Sequence, residues 1–425
     1  MWKQPEMPLS DTAHTSSASA HSGVGILTDI GWLATCRAEG KQSDVHPIEH
    51  AAVAFSGGRI DWVGKEEDLP VEIRERPTYS AGGRMVIPGL VDCHTHLVFG
   101  GWRTDEFRRR LAGESYLDIA ASGGGIKRTM KQTREASTEE LQRHALGNLQ
   151  QMVRLGITTV ECKSGYGLSF EDELKLLRVV RNIQPETPVH LVSTLLAAHV
   201  TPPECNSQSY IQMIVHELIP TVSAEGLAAF NDIFVEEGAF SADDARAVLG
   251  AGVEHGLRPK LHVDQLHDVG GGRLAAEVGA ISADHLEFTS ADGRRAMAAA
   301  GVVGVCLPFA SLYLNQPPMN ARAFLEDGVD VAVATDFNPG SAPSSNMNRV
   351  VQLAILKMKM HPLEAIAAAT INGAAAMECS DRAGVIARGR AANVIVTRPL
   401  SGLEDLAYDF GEEPVEKVFI DGIIQ

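Results

Sequence analysis

The sequence predicts an α/β fold: a (β/α)8 TIM-like barrel plus a small β-sandwich domain built from both chain ends. Two observations predict it. Between residues 88 and 384, apolar strand-like runs alternate with amphipathic helical runs eight times. That rhythm makes a parallel sheet with helical crossovers, and a stretch of roughly 290 residues suits a closed barrel. Outside it, residues 24–87 and 385–425 read as short strands around Gly-rich turns.

The elements follow in order. Residues 1–23 are polar, rich in Ser, Thr and Ala, and lack the apolar core of a secretory signal. They read as a disordered lead-in. GILTDIGWLAT, AAVAFSGGRIDWVG and GRMVIPG read as β-hairpins, and VIPGLVD as the first barrel strand. In STEELQRHALGNLQQMVRLG, Ser137 and Glu140 have capping-box spacing. Leu141, Ala145, Leu149 and Val153 share one helical face, and Gly156 fits the C′ position. ITTVEC, VHLVSTL, DIFVE, RPKLHV, AISADH, VVGVCLP and DVAVATD supply the other seven strands, with helical segments between them. ANVIVTRPL and EKVFIDGII return to the β style of the beginning. A doubly wound open sheet is the alternative, but no G-x-G-x-x-G follows the first strand.

Composition narrows the function. The 425 residues are 44% hydrophobic and 21% charged, with a formal net charge of −17. An acidic surface repels nucleic acid and anionic membranes, so neither is expected as a partner. An anionic substrate then needs a cation placed locally. No run reaches the ~18 apolar residues of a membrane span. Six scattered cysteines without a C-x-x-C pair point to a reduced, cytoplasmic protein; Cys93, Cys162 and Cys306 read as buried small hydrophobes. GGGIK at 123–127 lacks Walker spacing and reads as a flexible substrate loop, and there is no G-x-S-x-G elbow.

In a barrel, functional side chains sit at the C-terminal ends of strands. His94 and His96 end the first strand. At i and i+2 they project to the same side, as two ligands of one metal must. His262 ends the fifth strand and Asp336 the eighth. Three histidines and a carboxylate suit Zn or Fe, with a position left for water. His285, ending the sixth strand, is placed to orient that water and move its proton. His199 follows the third strand, and Tyr166 stands between Gly165 and Gly167 after the second. Both are candidate substrate contacts. Arg103, on the first loop, is the cation that could pair a substrate carboxylate. Lys163 reads as a salt-bridged surface lysine, and Glu236 as an ordinary strand-end carboxylate.

PGLVDCHTH, His262, His285 and TDFNPGS resemble the amidohydrolase superfamily. Re-entry into the sandwich through ATINGAAAM and GVIARGRAANVIV fits as well. HTHLVFGGWRTDEF, GGGIKRTMKQTREAS, VECKSGYGLSFEDELK, ADHLEF and VATDFNPGS are most similar to its imidazolonepropionase family. The resemblance implies metal ligands His94, His96, His262 and Asp336, with one Zn or Fe per chain. It implies substrate contacts from Arg103, Tyr166, His199, Asn338, Gly340 and Ser341, with His285 positioning water. The implied substrate is a small anionic heterocycle, 4-imidazolone-5-propanoate, and the resemblance allows a homodimer. Two departures stand out. Gln265 occupies a slot where some relatives have Glu, so proton transfer is assigned to Asp336 and His285, with Gln265 bonding substrate. Pro308–Ser311 replaces a Gly-containing turn. A heterocycle deaminase of the same fold is the alternative activity, against which Gln265 counts. A non-catalytic binding paralogue would have lost the H-x-H pair or Asp336, and both are present.

Overall fold

Eight short parallel strands carry the middle of the chain in a computed structural model that describes residues 23–37, 44–114, 118–119 and 122–425. The expected lead-in, apart from Gly23, lies outside the described residues. The strands are β5 (Leu90–Asp92), β6 (Ile157–Lys163), β7 (His190–Ala198), β8 (Phe230–Val235), β9 (Arg258–Val263), β10 (Ser282–His285), β11 (Val303–Cys306) and β12 (Val331–Val333). They lie side by side in chain order, β5 next to β6 through to β12. Helices connect successive strands, because parallel neighbours need a crossover. The strands read as apolar runs because both faces are covered; β6 is buried along its whole length.

Closure comes at the seam between β5 and β12. Asp336 N donates to His94 O at 3.0 Å, and His96 N to Phe337 O at 2.9 Å. The Asp92 carboxylate accepts from Thr335 N at 3.0 Å and Thr335 Oγ1 at 2.6 Å. This seam sets the H-x-H pair directly beside Asp336, although some 240 residues separate them in sequence.

The chain ends form a second, mixed sheet. β1 (Gly25–Leu33), β2 (Ile48–Ser56), β3 (Arg59–Lys65) and β4 (Thr78–Pro88) come from the N-terminal side. β13 (Val394–Thr397), β14 (Val415–Ile420) and β15 (Ile423–Ile424) come from the C-terminal side. The order is β15-β14-β13-β4-β1-β2-β3, with β1 and β4 parallel and the rest antiparallel. The seven strands form one continuous sheet, and strands distant in its order meet across a shared core. Phe55 of β2 meets Phe419 of β14 edge-on at 6.0 Å, although three strands lie between them in the order. Leu27, Ile30, Val53, Val86, Val394 and Phe419 share the core so enclosed.

Several local expectations are corrected. VIPGLVD is not one strand: Val86–Pro88 ends β4 in the terminal sheet, and Leu90–Asp92 begins the barrel. Gly89 makes the crossing, where a Cβ would stand 2.3 Å from the Thr158 side chain. The helix Thr138–Arg154 has the expected capping box, but Met152 rather than Val153 completes its buried face. Pro308 starts the helix Pro308–Leu314, as its missing N–H allows. No helix among the described residues is long and apolar enough to cross a membrane. All six cysteines are free, and Cys93, Cys162 and Cys306 are buried.

Candidate active site

The site is built at the C-terminal ends of the barrel strands. His94, His96 and His262 offer ring nitrogens that all lie within 4.8 Å of one another. Asp336 Oδ1 stands 3.5 Å from His94 Nε2 and 3.5 Å from His96 Nε2. Two metal–ligand bonds of about 2.1 Å at a tetrahedral angle would separate their ligand atoms by about 3.4 Å. The Nε2 atoms of His94 and His262 are buried and have no hydrogen-bond partner, an expensive arrangement unless something else uses their lone pairs. Burial, and then the positive charge of Lys163 or of neighbouring imidazoles, pushes all three histidines well below the ordinary imidazole value. Neutral imidazoles with free lone pairs are what a metal requires. The residues present therefore fit a metal ion.

The opposite ring nitrogens are taken. His94 Nδ1 meets Asp284 Oδ2 at 2.6 Å, and His262 Nδ1 meets Asp232 Oδ1 at 3.1 Å. Such carboxylates fix tautomer and ring orientation in metal sites. Lys163 is no surface lysine: its side chain is fully buried, 2.7 Å from Asp232, 3.0 Å from Glu161 and 3.2 Å from Asp284. Burial opposes its charge, but the three carboxylates outweigh this and hold the ammonium well above the usual lysine value. Lys260 pairs with the other oxygen of Glu161 at 2.8 Å. The ammonium of Lys163 also occupies the space among Asp232, His262 and Asp284, a second group with metal-ligand spacing.

A cavity of about 350 Å³ opens above the histidines. His96, His262, His285, Asp336, Arg103, Tyr166, His199, Gln265, Asn338 and Ser341 all line it. His94 lies beneath, fully buried. Gly340 lines an adjoining cavity of about 180 Å³, across Arg103. A Cβ there would fall 2.5 Å from the guanidinium, so Gly340 leaves Arg103 its path. Arg103 Nε donates to Glu106 at 3.0 Å. The Asn338 side chain is spent on its own loop: it donates to Asp336 O and Ser341 Oγ and accepts from Gly340 N and Ser341 N. Glu173 accepts from the amides of Gly165, Gly167 and Leu168, which fixes the turn carrying Tyr166. The His199 ring stacks on His96 at 5.1 Å and is held by Gly165 O at 3.0 Å. Glu236, as expected for a strand-end carboxylate, caps the turn after Gln265 through Leu266 N at 2.8 Å.

His285 and Asp336 have left-handed backbones, φ 81° and 54°, strained for residues other than glycine. Burial opposes the charge of His285, but Glu287 and then Asp336 outweigh it and hold the imidazole above its ordinary value. Burial pushes the Asp336 carboxyl up to about 7. Sequence reasoning missed Asp232, Asp284, Glu161, Lys260, Glu287, Glu106 and Glu173. A usable signal existed for four of them: Glu161, Asp232, Lys260 and Asp284 are charges within short segments read as barrel strands, where both faces are covered.

Residues 228–424 match the model of the amidohydrolase family. The chain is 43% identical over 405 residues to an imidazolonepropionase of Geobacillus thermodenitrificans, covering 94% of this chain and 95% of that one. It is 40% identical over 408 residues to an imidazolonepropionase of Clostridium tetani, covering 94% and 97%. The chain belongs to the imidazolonepropionase family of amidohydrolases. Among solved structures, a triazine hydrolase variant superposes with TM-score 0.72 at 16% identity, covering 94% of each chain. An adenosine deaminase of Xanthomonas campestris with bound zinc gives 0.66 at 18%, covering 94% of this chain and 92% of that one. At such identities these two show the fold alone. As an imidazolonepropionase-family chain, this one is a hydrolase of the amidohydrolase class, and its buried His/Asp cluster lies at the barrel mouth.

Proposed function

We propose that the chain hydrolyses the cyclic amide of 4-imidazolone-5-propanoate to N-formimidoyl-L-glutamate with one metal ion, Zn or Fe. The observation that carries this reading is the convergence of unpartnered, buried His94 and His262 nitrogens with His96 and Asp336 beneath a cavity walled by Arg103. His94, His96, His262 and Asp336 would hold the ion. When bound, it supplies Lewis acidity toward the ring carbonyl and acidifies water.

The remaining work falls to side chains. Arg103 pairs with the substrate carboxylate, a cation set locally in a chain of net charge −17. Tyr166 and His199 orient the ring, which converts attack into a near-unimolecular step. Gln265 donates or accepts one hydrogen bond to substrate and, having no titrating group, transfers no proton. Asp336 takes the proton of the attacking water. His285 carries a proton to the departing ring nitrogen. Free thiols throughout fit a reducing, cytoplasmic setting.

The test is turnover of freshly prepared imidazolonepropionate by metal-stripped and metal-restored protein, with N-formimidoylglutamate quantified. Activity restored at about one metal per chain supports the reading. Absence of product with any metal, together with ammonia release from an aminated heterocycle, moves the assignment to a deaminase.

A further inference from the structure

Beneath the candidate metal ligands lies a closed set of buried charges that the reaction does not use. Glu161, Lys163, Asp232, Lys260 and Asp284 are each at most 2% exposed. They come from four strands of the barrel: Glu161 and Lys163 from β6, Asp232 from β8, Lys260 from β9 and Asp284 from β10. Burying five ionised groups is costly, and the geometry shows what their arrangement achieves. Lys163 Nζ touches both carboxylates that meet the histidines, Asp232 at 2.7 Å and Asp284 at 3.2 Å, and is anchored by Glu161 at 3.0 Å. Ser282 donates to the second oxygen of Asp284 at 2.8 Å. Each carboxylate is thereby turned to receive one ring N–H: Asp284 from His94 and Asp232 from His262.

We propose that Lys163 is a positioning residue for the metal centre: its single ammonium group orients Asp232 and Asp284 together, so that His262 and His94 are both held with Nδ1 protonated and Nε2 free toward the cavity. The inference rests on the reading that these histidines hold a metal. Charge supports it. The two lysines leave the three lower carboxylates one negative charge in excess, and an ionised Asp336 adds a second. These six groups together then carry the charge that one divalent cation offsets. Lys163 also fills the Asp232–His262–Asp284 space that a second cation would need, so the same ammonium that orients the ligands keeps the centre mononuclear.

The proposal separates from a purely electrostatic role, because the two predict opposite signs. Removing a buried positive charge near the site should tighten binding of a cation. Removing a positioning residue should weaken it. Zn²⁺ affinity is measured by chelator competition for the unaltered protein, Lys163→Met, Asp284→Asn and the double variant, with circular dichroism of each metal-free form. Lys163→Met is expected to weaken Zn²⁺ binding about 10- to 100-fold, the usual cost of losing an outer partner of a metal ligand. The double variant should fall short of the sum of the single effects, as for residues acting through one another. Equal or tighter binding by a folded Lys163→Met overturns the proposal. Should that variant not fold, ¹⁵N-histidine NMR of the metal-free natural protein decides. His94 and His262 must both show the Nδ1–H tautomer, and a mixture of tautomers overturns the proposal. If the natural protein itself binds no Zn²⁺ or Fe²⁺, the metal reading fails first, and the tautomer measurement still stands on its own.

Discussion

Two layers of buried polar groups are stacked in the barrel, and they are finished differently. In the lower layer each of Glu161, Lys163, Asp232, Lys260 and Asp284 faces an opposite charge within 3.2 Å, and the Glu161 Oε2 and Lys260 Nζ atoms, which lack hydrogen-bond partners, still form an ion pair at 2.8 Å. In the upper layer, His94 and His262 each keep a buried nitrogen without a partner, and the His285 Nδ1 is likewise unsatisfied. Folding alone would not select the upper arrangement, since an unmet buried polar atom costs about 1–3 kcal/mol. The difference teaches where a ligand belongs: a completed layer is support, and an uncompleted one awaits another atom. Backbone strain marks the same boundary, with left-handed φ at His285 and Asp336 and none at the five charges below.

The strongest way to break this comparison is to complete the upper layer's loss. Asp336→Ala removes the only carboxylate among the expected ligands and the expected water-side base together. Turnover should fall about a thousandfold or more, with metal content after dialysis falling in parallel. Retained metal and retained turnover would place the chemistry elsewhere.

A second test uses protons in place of metal. Burial, resisted by the hydrogen bond that the ring donates to Gly165 O, lowers His199 from the ordinary 6.5 to about 4. Its unfolded form therefore binds a proton that the folded form refuses between those values. The stabilisation from keeping it neutral is complete above about pH 6.5 and is lost as pH falls toward 4. Denaturant titrations of metal-free protein at pH 7 and pH 4 should show His199→Gln reducing the acid sensitivity by up to about 3 kcal/mol. Identical slopes with pH for both proteins would mean that His199 is not sequestered from water in the way its stacking on His96 implies.

These layers were unequally legible in the sequence. The H-x-H pair, His262, His285 and Asp336 could be read because each ends an apolar strand, and a barrel gathers strand ends at one mouth. The capping box of Thr138–Arg154 could be read because it is a local bond. Lys163 could not be placed, because a lysine at a strand's end ordinarily reaches water. Only the joining of β6, β8 and β10 puts three carboxylates around it, and that is tertiary information. One local sign was available: Glu161 and Lys163 stand at i and i+2 in a strand of otherwise buried residues, so they share a face. The division of Val86–Asp92 between two sheets was hidden for a similar reason. Gly89 looks like a turn residue, but its role depends on Thr158 lying 2.3 Å from its missing Cβ.

The wall above the layers offers a smaller test. Arg103 is fixed from two sides, by the Glu106 carboxylate at 3.0 Å and by the space Gly340 leaves. Arg103→Met should raise KM and lower kcat/KM by about 10- to 100-fold, the 1.5–3 kcal/mol of a charge-assisted bond, with Tm little changed. Gly340→Ala should reproduce part of that rise without touching the charge, because the added methyl meets the guanidinium. A normal KM for both would detach the substrate carboxylate from this wall.

The smallest effect is expected at Gln265, and it bears most closely on how the upper layer divides its labour. Gln265 lines the cavity beside His262, on a turn that Glu236 holds through Leu266 N and the His267 ring. Its amide has no proton to trade at neutral pH. Gln265→Ala should therefore cost about 2- to 10-fold in kcat/KM, the worth of one neutral hydrogen bond, and leave the shape of the pH–rate profile unchanged. Gln265→Glu supplies a carboxyl in the same place. If Asp336 and His285 already carry the protons, the acidic limb of kcat keeps its midpoint and the variant gains nothing. A rise in kcat with a shifted acidic limb would show that proton transfer, not substrate contact, is what this position was built for, and that the glutamine restrains it.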